Sequence, residues 1–256
     1  MRLDGKRVVV TGGAGGIGGA IARRMAAAGA RIMIADLNGE RAEATATGLG
    51  AGHAAVTVDV ADLDSVNAMV KATEQALGGV DVLVHSAGVA MLRDILEVDP
   101  ADWKRVIDIN LMGTYYACLA VARSIVARKG SGSLITISSA AAARPSRGAS
   151  AYGASKGGVV TLTKGLAVDL AHRNIRVNSI APGPVDTDMA RGEHKSETRT
   201  MFEKMIPMHR YARAEELGSA AVFLASDESS YVSGAIVTVD GAYSGAGNLG
   251  WPGEVN

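Results

Sequence analysis

Seven short runs of mostly β-branched, apolar residues recur along the chain, separated by segments with helical spacing. Most of the runs are apolar throughout rather than alternating, which is typical of strands covered on both faces of a parallel sheet. They occupy residues 8–10, 32–34, 55–58, 80–84, 134–137, 175–177 and 236–239. This alternation predicts an α/β fold, a doubly wound parallel seven-stranded sheet with helices on both faces.

Helical spacing predicts helices over 17–28 and 62–77, each followed by a glycine that can end a helix in the left-handed conformation. Two longer helices are predicted at about 100–128 and 151–172. No Pro/Ser-rich linker interrupts the sequence, so residues 1–256 are predicted to form a single domain.

A polar segment at about 189–213 carries four apolar residues at roughly helical spacing. It is either a lid over a binding site or a surface helix packed on the sheet. The apolar residues are Met201, Phe202, Met205 and Ile206. The chain ends in a short tail, 244–256, in which we expect Trp251 to dock on its own or a neighbouring subunit.

Charge and cysteine content narrow the class of protein. The 26 basic residues balance the 26 acidic ones, so no positive field is available to hold a nucleic acid backbone. The one cysteine, Cys118, cannot form an intrachain disulfide. No secretory leader and no run of 18 apolar residues is seen, so we expect a cytoplasmic protein without a membrane span.

A glycine-rich turn follows the first strand and leads directly into the first helix. Such a turn lets the backbone approach a pyrophosphate, and the helix N-terminus supplies free N–H groups and the positive end of a dipole. This context predicts a Rossmann-like dinucleotide-binding site rather than a merely tight connection. The candidate contacts are Gly12, Gly15, Gly16, Ile17 and Gly18.

Asp36 ends the second strand, where a carboxylate can accept both hydroxyls of an adenosine ribose. Leu37 follows it and Arg41 lies further along the next helix, so no adjacent cation would neutralise a 2′-phosphate. The pattern therefore favours NAD over NADP. Asp59, before Val60, is placed to accept a hydrogen bond from the adenine amino group. Helix capping is the alternative for either aspartate.

Tyr152 and Lys156 are four residues apart at the start of a predicted helix, so both lie on one helical face. Ser138 and Ser139 close the preceding strand, and either hydroxyl could serve beside them. A nearby ammonium and a cationic nicotinamide favour the phenolate of a tyrosine whose pKa is ordinarily about 10. Tyr152 is therefore a candidate proton carrier.

These motifs together resemble the short-chain dehydrogenase/reductase family, over essentially the whole of residues 3–243. The matching segments are 11–18, Asp36, Asp59 with Val60, 110–113, Ser139, 152–156 and Pro182 with Gly183. The resemblance implies a catalytic set of Asn110, Ser139, Tyr152 and Lys156. In it, Ser139 orients the reacting oxygen, Tyr152 exchanges its proton, Lys156 lowers the tyrosine pKa and holds the nicotinamide ribose, and Asn110 anchors a water.

The resemblance also implies that residues 182–187 border the nicotinamide, with the Val185 backbone and the Thr187 hydroxyl meeting its carboxamide. Two departures stand out. The turn after the fourth strand reads His85, Ser86, Ala87, Gly88, where the family more often has two asparagines, and the late strand ends at 240–243 without paired glycines. We expect Ser86, Ala87 and Gly88 still to bind the cofactor, and His85 to be structural. The resemblance implies a homotetramer as well.

The expected substrate pocket is mainly apolar, which favours a secondary alcohol or ketone with a hydrophobic or cyclic body. Its residues are Met91, Arg93, Ala141, Met189, Phe202 and Met205. Arg93, Arg144 and Arg147 could instead meet a carboxylate. No metal site is expected, because the histidines show no ligand spacing.

Three functions remain open from the sequence. The first is an NAD-dependent alcohol dehydrogenase or ketone reductase, which the Asp36 position favours. The second is a 3-oxoacyl thioester reductase, which resembles the chain along its length but more often uses NADPH. The third is a dinucleotide-binding scaffold or sensor without turnover, against which the intact catalytic set argues.

Overall fold

The computed structural model describes residues 1–246. Its sheet has seven strands, all paired in parallel, in the order β3-β2-β1-β4-β5-β6-β7. The strands are β1 Arg7–Thr11, β2 Arg31–Asp36, β3 Ala54–Thr57, β4 Val82–His85, β5 Gly132–Ile137, β6 Ile175–Pro182 and β7 Ile236–Val239. The predicted Rossmann-like fold is confirmed, with strand bounds within two residues of the predicted ones at most ends and a longer β6.

Nine α-helices connect the strands in the described part of the chain. They are α1 Gly16–Ala27, α2 Gly39–Leu49, α3 Leu63–Leu77, α4 Pro100–Ile107, α5 Gly113–Ala127, α6 Ser150–Leu170, α7 Asp188–Glu193, α8 Ser196–Met205 and α9 Glu215–Ala225. Local chemistry sets several bounds. The Asp62 carboxylate accepts the Asp64 N–H at the start of α3, and Gly78 ends that helix with φ +84°.

Alternate strand residues pack into two apolar layers, one on each face of the sheet. Val8 and Val10 join Ile21 of α1 and Leu217 of α9 in the first layer. Val9 packs on the other face among residues of α3 and α5. Because the central strands are buried on both faces, only the ends of the strands are left to form a binding site.

The order of the sheet reverses at β1, which pairs with β2 on one side and β4 on the other. In open α/β sheets, ligands bind beyond the carboxyl ends of the strands at such a point. The glycine-rich turn after β1 lies there, as does the turn after β4. The topology therefore brings the two predicted cofactor turns together.

The long helix predicted at 100–128 is not one regular α-helix. A π-helical turn over Asp108–Met112 joins α4 to α5, so the residues around Asn110 are wound more widely. The continuous segment Pro100–Ala127 is long and apolar enough to span a membrane by length and composition, but 56% of its most apolar window is buried inside the fold. The segment packs on one face of the sheet, where its apolar residues join the hydrophobic core.

The polar segment 189–213 forms α7 and α8 and then returns to the sheet. Its aromatic residues meet the end of the described chain: the Phe202 ring lies 5.9 Å from the Tyr243 ring, centre to centre. Tyr211 is buried in the same cluster. Trp251, which was predicted to dock, lies outside the described residues.

Candidate active site

A cavity of about 970 Å³ lies beyond the carboxyl ends of the strands. It is lined by the turn after β1, the ends of β2 to β6, the start of α6, and α7 and α8. Every predicted cofactor-binding residue reaches it, and so do Ser139, Tyr152 and Lys156. Asn110 and Arg93 are not part of its lining.

The glycine turn is shaped by close backbone approaches. Gly12 has φ +62°, and a Cβ added there would lie 2.8 Å from the Ala87 nitrogen. A Cβ on Gly18 would collide with the carbonyl oxygen of Gly12. The N-cap residue of α1, Gly15, offers no side-chain acceptor, so the first N–H groups of the helix are left for an anionic ligand.

His85 and Thr11 support this turn from the neighbouring strands. The Thr11 hydroxyl accepts the Ala87 N–H at 3.3 Å and lies 3.0 Å from His85 Nδ1. Burial lowers the pKa of His85 to about 3, and the Lys156 ammonium adds to this effect. His85 is therefore neutral, and it contacts this turn through Thr11.

Asp36 binds backbone rather than capping a helix. Its Oδ2 accepts the Ala14 N–H at 3.0 Å and its Oδ1 accepts the Asn38 N–H at 3.1 Å. The cap of α2 is Asn38, whose side chain accepts the Arg41 N–H. Asp36 thus fixes the glycine turn while its carboxylate lines the cavity.

Arg41 lies closer to Asp36 than its position in the sequence suggested. Arg41 was expected to lie away from the ribose position, but its side chain reaches back over the glycine turn and lines the cavity. A Cβ on Gly15 would lie 2.9 Å from an Arg41 guanidinium nitrogen. A cation therefore stands in the same part of the cavity as Asp36, which sequence adjacency did not reveal.

Asp59 and Val60 line the cavity between β3 and α3. Asp59 Oδ1 accepts the Ala61 N–H at 2.9 Å, so this oxygen stabilises a turn. The cap of α3 is Asp62. The capping alternative for Asp59 is therefore wrong, and its carboxylate remains available to a ligand.

Two adjacent serines at the end of β5 have different surroundings. Ser138 is buried, donates to the Ile180 carbonyl at 3.2 Å and accepts from Ser179 at 2.9 Å, so it belongs to the sheet. Ser139 accepts the Ala141 N–H at 3.1 Å, and its hydroxyl lowers the pKa of Tyr152. The geometry thus places Ser139, rather than Ser138, with the tyrosine.

Tyr152 and Lys156 share one face of α6, as their spacing predicts. The Lys156 ammonium nitrogen lies 5.8 Å from the centre of the Tyr152 ring and donates to the Ile137 carbonyl at 2.8 Å. Burial lowers the pKa of Lys156 to about 8. Burial also raises the pKa of Tyr152, and the nearby Ser139 hydroxyl partly offsets this. Lys156 was expected from the sequence to lower the pKa of Tyr152. In this structure burial, which raises that pKa, has the larger effect.

Asn110 lies behind the cavity in the π-helical turn and is fully buried. Its Nδ2 donates to the Val89 carbonyl at 2.9 Å and to Ser155 Oγ at 3.0 Å. Its Oδ1 accepts the Val89 N–H at 2.8 Å. Both amide protons are used, so the side chain acts on the neighbouring backbone and on α6.

The segment after β6 borders the cavity as the resemblance implied. Asp186 donates its N–H to the Ala212 carbonyl, and the Pro184 carbonyl accepts the Ala212 N–H. The N–H and C=O of Val185, which lies between them, therefore point away from Ala212. Thr187 caps α7 by accepting the Ala190 N–H at 3.3 Å and keeps its hydroxyl proton for another partner. A Cβ on Gly183 would lie 2.7 Å from the Cβ of Asp240.

The substrate side of the cavity contains five of the six predicted residues, namely Met91, Ala141, Met189, Phe202 and Met205. Arg93 was wrongly assigned to it. Its side chain is exposed, and its backbone N–H donates to the Gly148 carbonyl at 3.0 Å. Arg144 and Arg147, which the sequence offered as alternative contacts for a carboxylate, do line the cavity. Tyr243 and His194 line it as well, and no spacing rule in the sequence places them there, because they come from distant loops.

Aromatic packing anchors α7 and α8 beside the cavity. His194 Nδ1 lies 2.9 Å from the Tyr211 hydroxyl, and the imidazole stacks on Phe202 with ring centres 4.8 Å apart. Burial lowers the pKa of His194 and raises that of Tyr211 to about 12. Both groups are neutral around pH 7, which suits an apolar wall.

Comparison with known proteins decides the family. A family model described as Enoyl-(Acyl carrier protein) reductase matches residues 12–244. The chain is also 42% identical over 247 residues to D-threitol dehydrogenase of Mycolicibacterium smegmatis, covering 95% of each chain. The protein belongs to the short-chain dehydrogenase/reductase family. It is accordingly an oxidoreductase of that type.

Solved structures agree with this assignment. A short-chain type dehydrogenase/reductase from Mycobacterium marinum superposes with a TM-score of 0.91 at 33% identity, covering 94% of this chain and 96% of that one. A gluconate 5-dehydrogenase from Burkholderia cenocepacia, in complex with NADP and tartrate, gives a TM-score of 0.91 at 35% identity, covering 96% and 97%. The family binds a nicotinamide dinucleotide.

Proposed function

We propose that the protein is an NAD(H)-dependent dehydrogenase that interconverts a secondary alcohol and a ketone. One observation carries the proposal: Ser139, Tyr152 and Lys156 line the same cavity as the glycine turn and Asp36. A proton carrier and a dinucleotide cradle in one cavity are the two parts that alcohol oxidation by hydride transfer needs.

The residues present fit a dinucleotide. The uncapped start of α1 suits a pyrophosphate, and Asp36 suits the adenosine ribose. Within the described residues, the Val185 N–H and the Thr187 hydroxyl proton make no hydrogen bond, so both are available where a carboxamide would be held. When bound, the nicotinamide supplies or accepts the hydride. NAD is our proposed cofactor because Asp36 would repel a 2′-phosphate, although Arg41 reduces that repulsion.

The protein's own groups handle the proton. Ser139 donates its hydroxyl proton to the reacting oxygen and thereby orients it. Tyr152 takes the hydroxyl proton in oxidation and returns it in reduction. Lys156, anchored on the Ile137 carbonyl, holds the nicotinamide ribose and presents a positive charge to the phenol. Because burial alone raises the tyrosine pKa, the phenolate depends on these positive and donating neighbours.

We propose a substrate with an apolar or cyclic body. Ala141, Met189, Phe202 and Met205 supply an apolar wall beside Tyr152. The threitol dehydrogenase relative supports an alcohol as substrate, whereas the apolar body is proposed from the cavity wall alone. The segment over α7 and α8, 189–213, then acts as a lid, since its side chains line the cavity from outside the sheet.

A 3-oxoacyl thioester reductase using NADPH is the second candidate. Similarity to a 3-oxoacyl-[acyl-carrier-protein] reductase of Chlamydia muridarum, 37% identical over 243 residues, supports it, as does Arg41 beside the glycine turn. A dinucleotide-binding scaffold without turnover is a weaker candidate, because the proton-handling residues are all present.

The test is a steady-state assay of the purified protein with NAD⁺, NADP⁺, NADH and NADPH. Substrates are cyclic and linear secondary alcohols, their ketones, and acetoacetyl-N-acetylcysteamine as a 3-oxoacyl thioester. The proposal expects alcohol oxidation with a preference for NAD⁺. Turnover of the thioester with NADPH alone would establish the second candidate, and cofactor binding without any turnover would establish the third.

We also propose a cytoplasmic homotetramer that needs no nucleic acid or membrane partner. The long helices α5 and α6 expose the apolar side chains of Tyr115 and Val168, which are 37% and 78% exposed in the single chain. Light scattering of the purified protein measures the number of subunits.

A further inference from the structure

Arg144 lies on the turn that leaves the candidate catalytic serine. Its backbone N–H donates to the Ala140 carbonyl at 2.9 Å, so the turn that begins at Ser139 also fixes Arg144. The partly buried Arg144 side chain lines the cavity together with Ser139 and Tyr152. A permanent cation is thus built into the substrate side of the site.

The guanidinium is held by neutral groups. Its Nη1 donates to the Tyr243 carbonyl at 2.6 Å and to the Ala246 carbonyl at 3.3 Å. Its central carbon lies 4.6 Å from the centre of the Tyr243 ring. These contacts fix the direction of the side chain without neutralising its charge, so the group is ordered before a ligand arrives.

Within residues 1–246, the remaining donors of Arg144 face no protein acceptor. In that part of the chain, neither Nε nor Nη2 makes a hydrogen bond, and no carboxylate lies within 4 Å of the guanidinium. Two parallel N–H groups of this kind match the two oxygens of a carboxylate.

Other charged groups at the cavity are differently placed. Arg147, three residues further along, is 94% exposed and pairs with Asp94 at 3.6 Å. Asp188 pairs with Arg191 at 3.0 Å, and Glu193 lines the cavity from α7 without approaching Arg144 within ion-pair distance. Among the arginines of this turn, only Arg144 combines partial burial with free donors inside the described residues.

We propose that the substrate is a hydroxy carboxylate and that Arg144 binds its carboxylate. This inference rests on the proposed dehydrogenase function and names its substrate class. The secondary alcohol lies at Tyr152, and the apolar wall covers the carbon skeleton between the two ends. Oxidation breaks the carbinol C–H and O–H bonds, with the hydride going to NAD⁺ and the proton to Tyr152. The carboxylate is unchanged, and the product is an oxo carboxylate and NADH.

The experiment compares matched substrates that differ only in charge. The probes are cis and trans 3- and 4-hydroxycyclohexanecarboxylate and the corresponding primary carboxamides, assayed with NAD⁺ and NADP⁺. For the wild-type enzyme we expect kcat/KM to be at least about tenfold higher for one carboxylate than for its amide, since a charge-assisted pair is stronger than a neutral hydrogen bond. Arg144→Gln should bring this ratio to about one, and Arg144→Lys should restore part of it.

Arg173→Gln is the control, because it removes a charge from an exposed arginine outside the cavity lining. It should leave the ratio unchanged. NADH binding by fluorescence and the melting temperature show whether Arg144→Gln is folded and loaded; if it is not, the Arg144→Lys ratio decides the question.

The outcomes separate the two proposals. Equal turnover of acids and amides by the wild type, or an unchanged ratio in Arg144→Gln, would overturn the carboxylate site and leave the dehydrogenase intact. Failure of every alcohol in the panel with both cofactors would instead refute the proposed function itself.

Discussion

Asn110 donates a hydrogen bond to Ser155 at 3.0 Å and thereby joins the π-helical turn before α5 to the first turns of α6. Ser155 in turn donates to the Tyr152 carbonyl at 2.8 Å. The buried Asn110 amide is thus linked to α6 one turn away from the phenol of Tyr152, the proposed proton carrier. Asn110 also binds the N–H and C=O of Val89 after β4, so one side chain connects the turn proposed to bind the cofactor with the helix that carries Tyr152.

Ser155→Ala tests this coupling. The change leaves one Asn110 amide proton without an acceptor in a buried site, which costs about 1–3 kcal/mol. We expect a lower melting temperature and a fall in kcat that exceeds the change in KM, because Tyr152 loses its support. Ser150→Ala, on the exposed start of the same helix, is the control. Equal kinetic parameters in both variants would show that the Asn110–Ser155 bond has no positioning role.

Tyr152→Phe tests the proton carrier itself. Removing the hydroxyl leaves the ring and its packing, so cofactor binding and stability should be close to those of the wild type. Turnover should fall at least about a hundredfold, since positioned acid–base groups contribute on that order. Tyr115→Phe removes an exposed phenol from α5 and should have no effect. Single-turnover absorbance at 340 nm measures the hydride step, and substantial activity in Tyr152→Phe would rule out the assigned role.

The sequence predicted the parts of the site that depend on strand ends and helical spacing. Tyr152 and Lys156 share a face because α6 is regular, and the glycine turn precedes α1 because the strand and helix patterns are strong. Arg41 and Arg93 were misplaced for a common reason: the reach of a long side chain depends on rotamers and loop paths, which spacing does not encode. Arg144 meets Tyr243 through folding of residues 99 positions apart.

The π-helical turn at Asp108–Met112 was also beyond sequence reasoning. The apolar spacing of the segment is continuous across it, and the wider winding follows from tertiary hydrogen bonds of Asn110 with Val89 and Ser155. The local sequence pattern predicts which face of a helix is apolar, but it does not predict one extra residue in a helical turn, which is what a π-helical turn contains.

We propose that cofactor preference depends on the opposed charges of Asp36 and Arg41, which line the same part of the cavity. Asp36→Ala removes the carboxylate and its contacts to Ala14 and Asn38, so kcat/KM for NAD⁺ should fall about tenfold or more, while that for NADP⁺ falls less or rises. Arg41→Ala should have the opposite selectivity, lowering use of NADP⁺ and sparing NAD⁺. Steady-state assays with both cofactors check this, and Arg23→Ala on exposed α1 surface is the control. Unchanged selectivity in both variants would contradict the assignment of this region to the ribose.

His85 should make the protein sensitive to mild acid. Its pKa is near 6.5 in an unfolded chain and about 3 in the fold, so the unfolded chain binds the extra proton between these values. Stability contributed by the neutral imidazole is present above about pH 6.5 and is lost as the pH falls toward 3. From pH 7 to pH 5 the loss is about 2 kcal/mol. His85→Asn should therefore show a smaller fall in melting temperature over this range.

The comparison uses the change between the two pH values rather than the absolute melting temperature, because asparagine also alters the contact with Thr11. His172→Asn, at an exposed position after α6, controls for the general effect of losing a histidine. The assignment of His85 as a buried neutral group would be falsified if the two variants and the wild type lost the same stability between pH 7 and pH 5.

Two glycines in helices allow a sharp test of the cofactor turn. A methyl group on Gly18 collides with the Gly12 carbonyl, which is backbone and cannot move without opening the turn. Gly18→Ala should therefore destabilise the fold by about 1–3 kcal/mol and weaken cofactor binding. Gly48, in α2, is exposed and has no atom within 4 Å of the added position, so Gly48→Ala should stabilise the protein by about 0.5–1 kcal/mol. Urea unfolding and NADH titration measure both effects, and tight NADH binding by Gly18→Ala would show that the turn does not form the dinucleotide cradle.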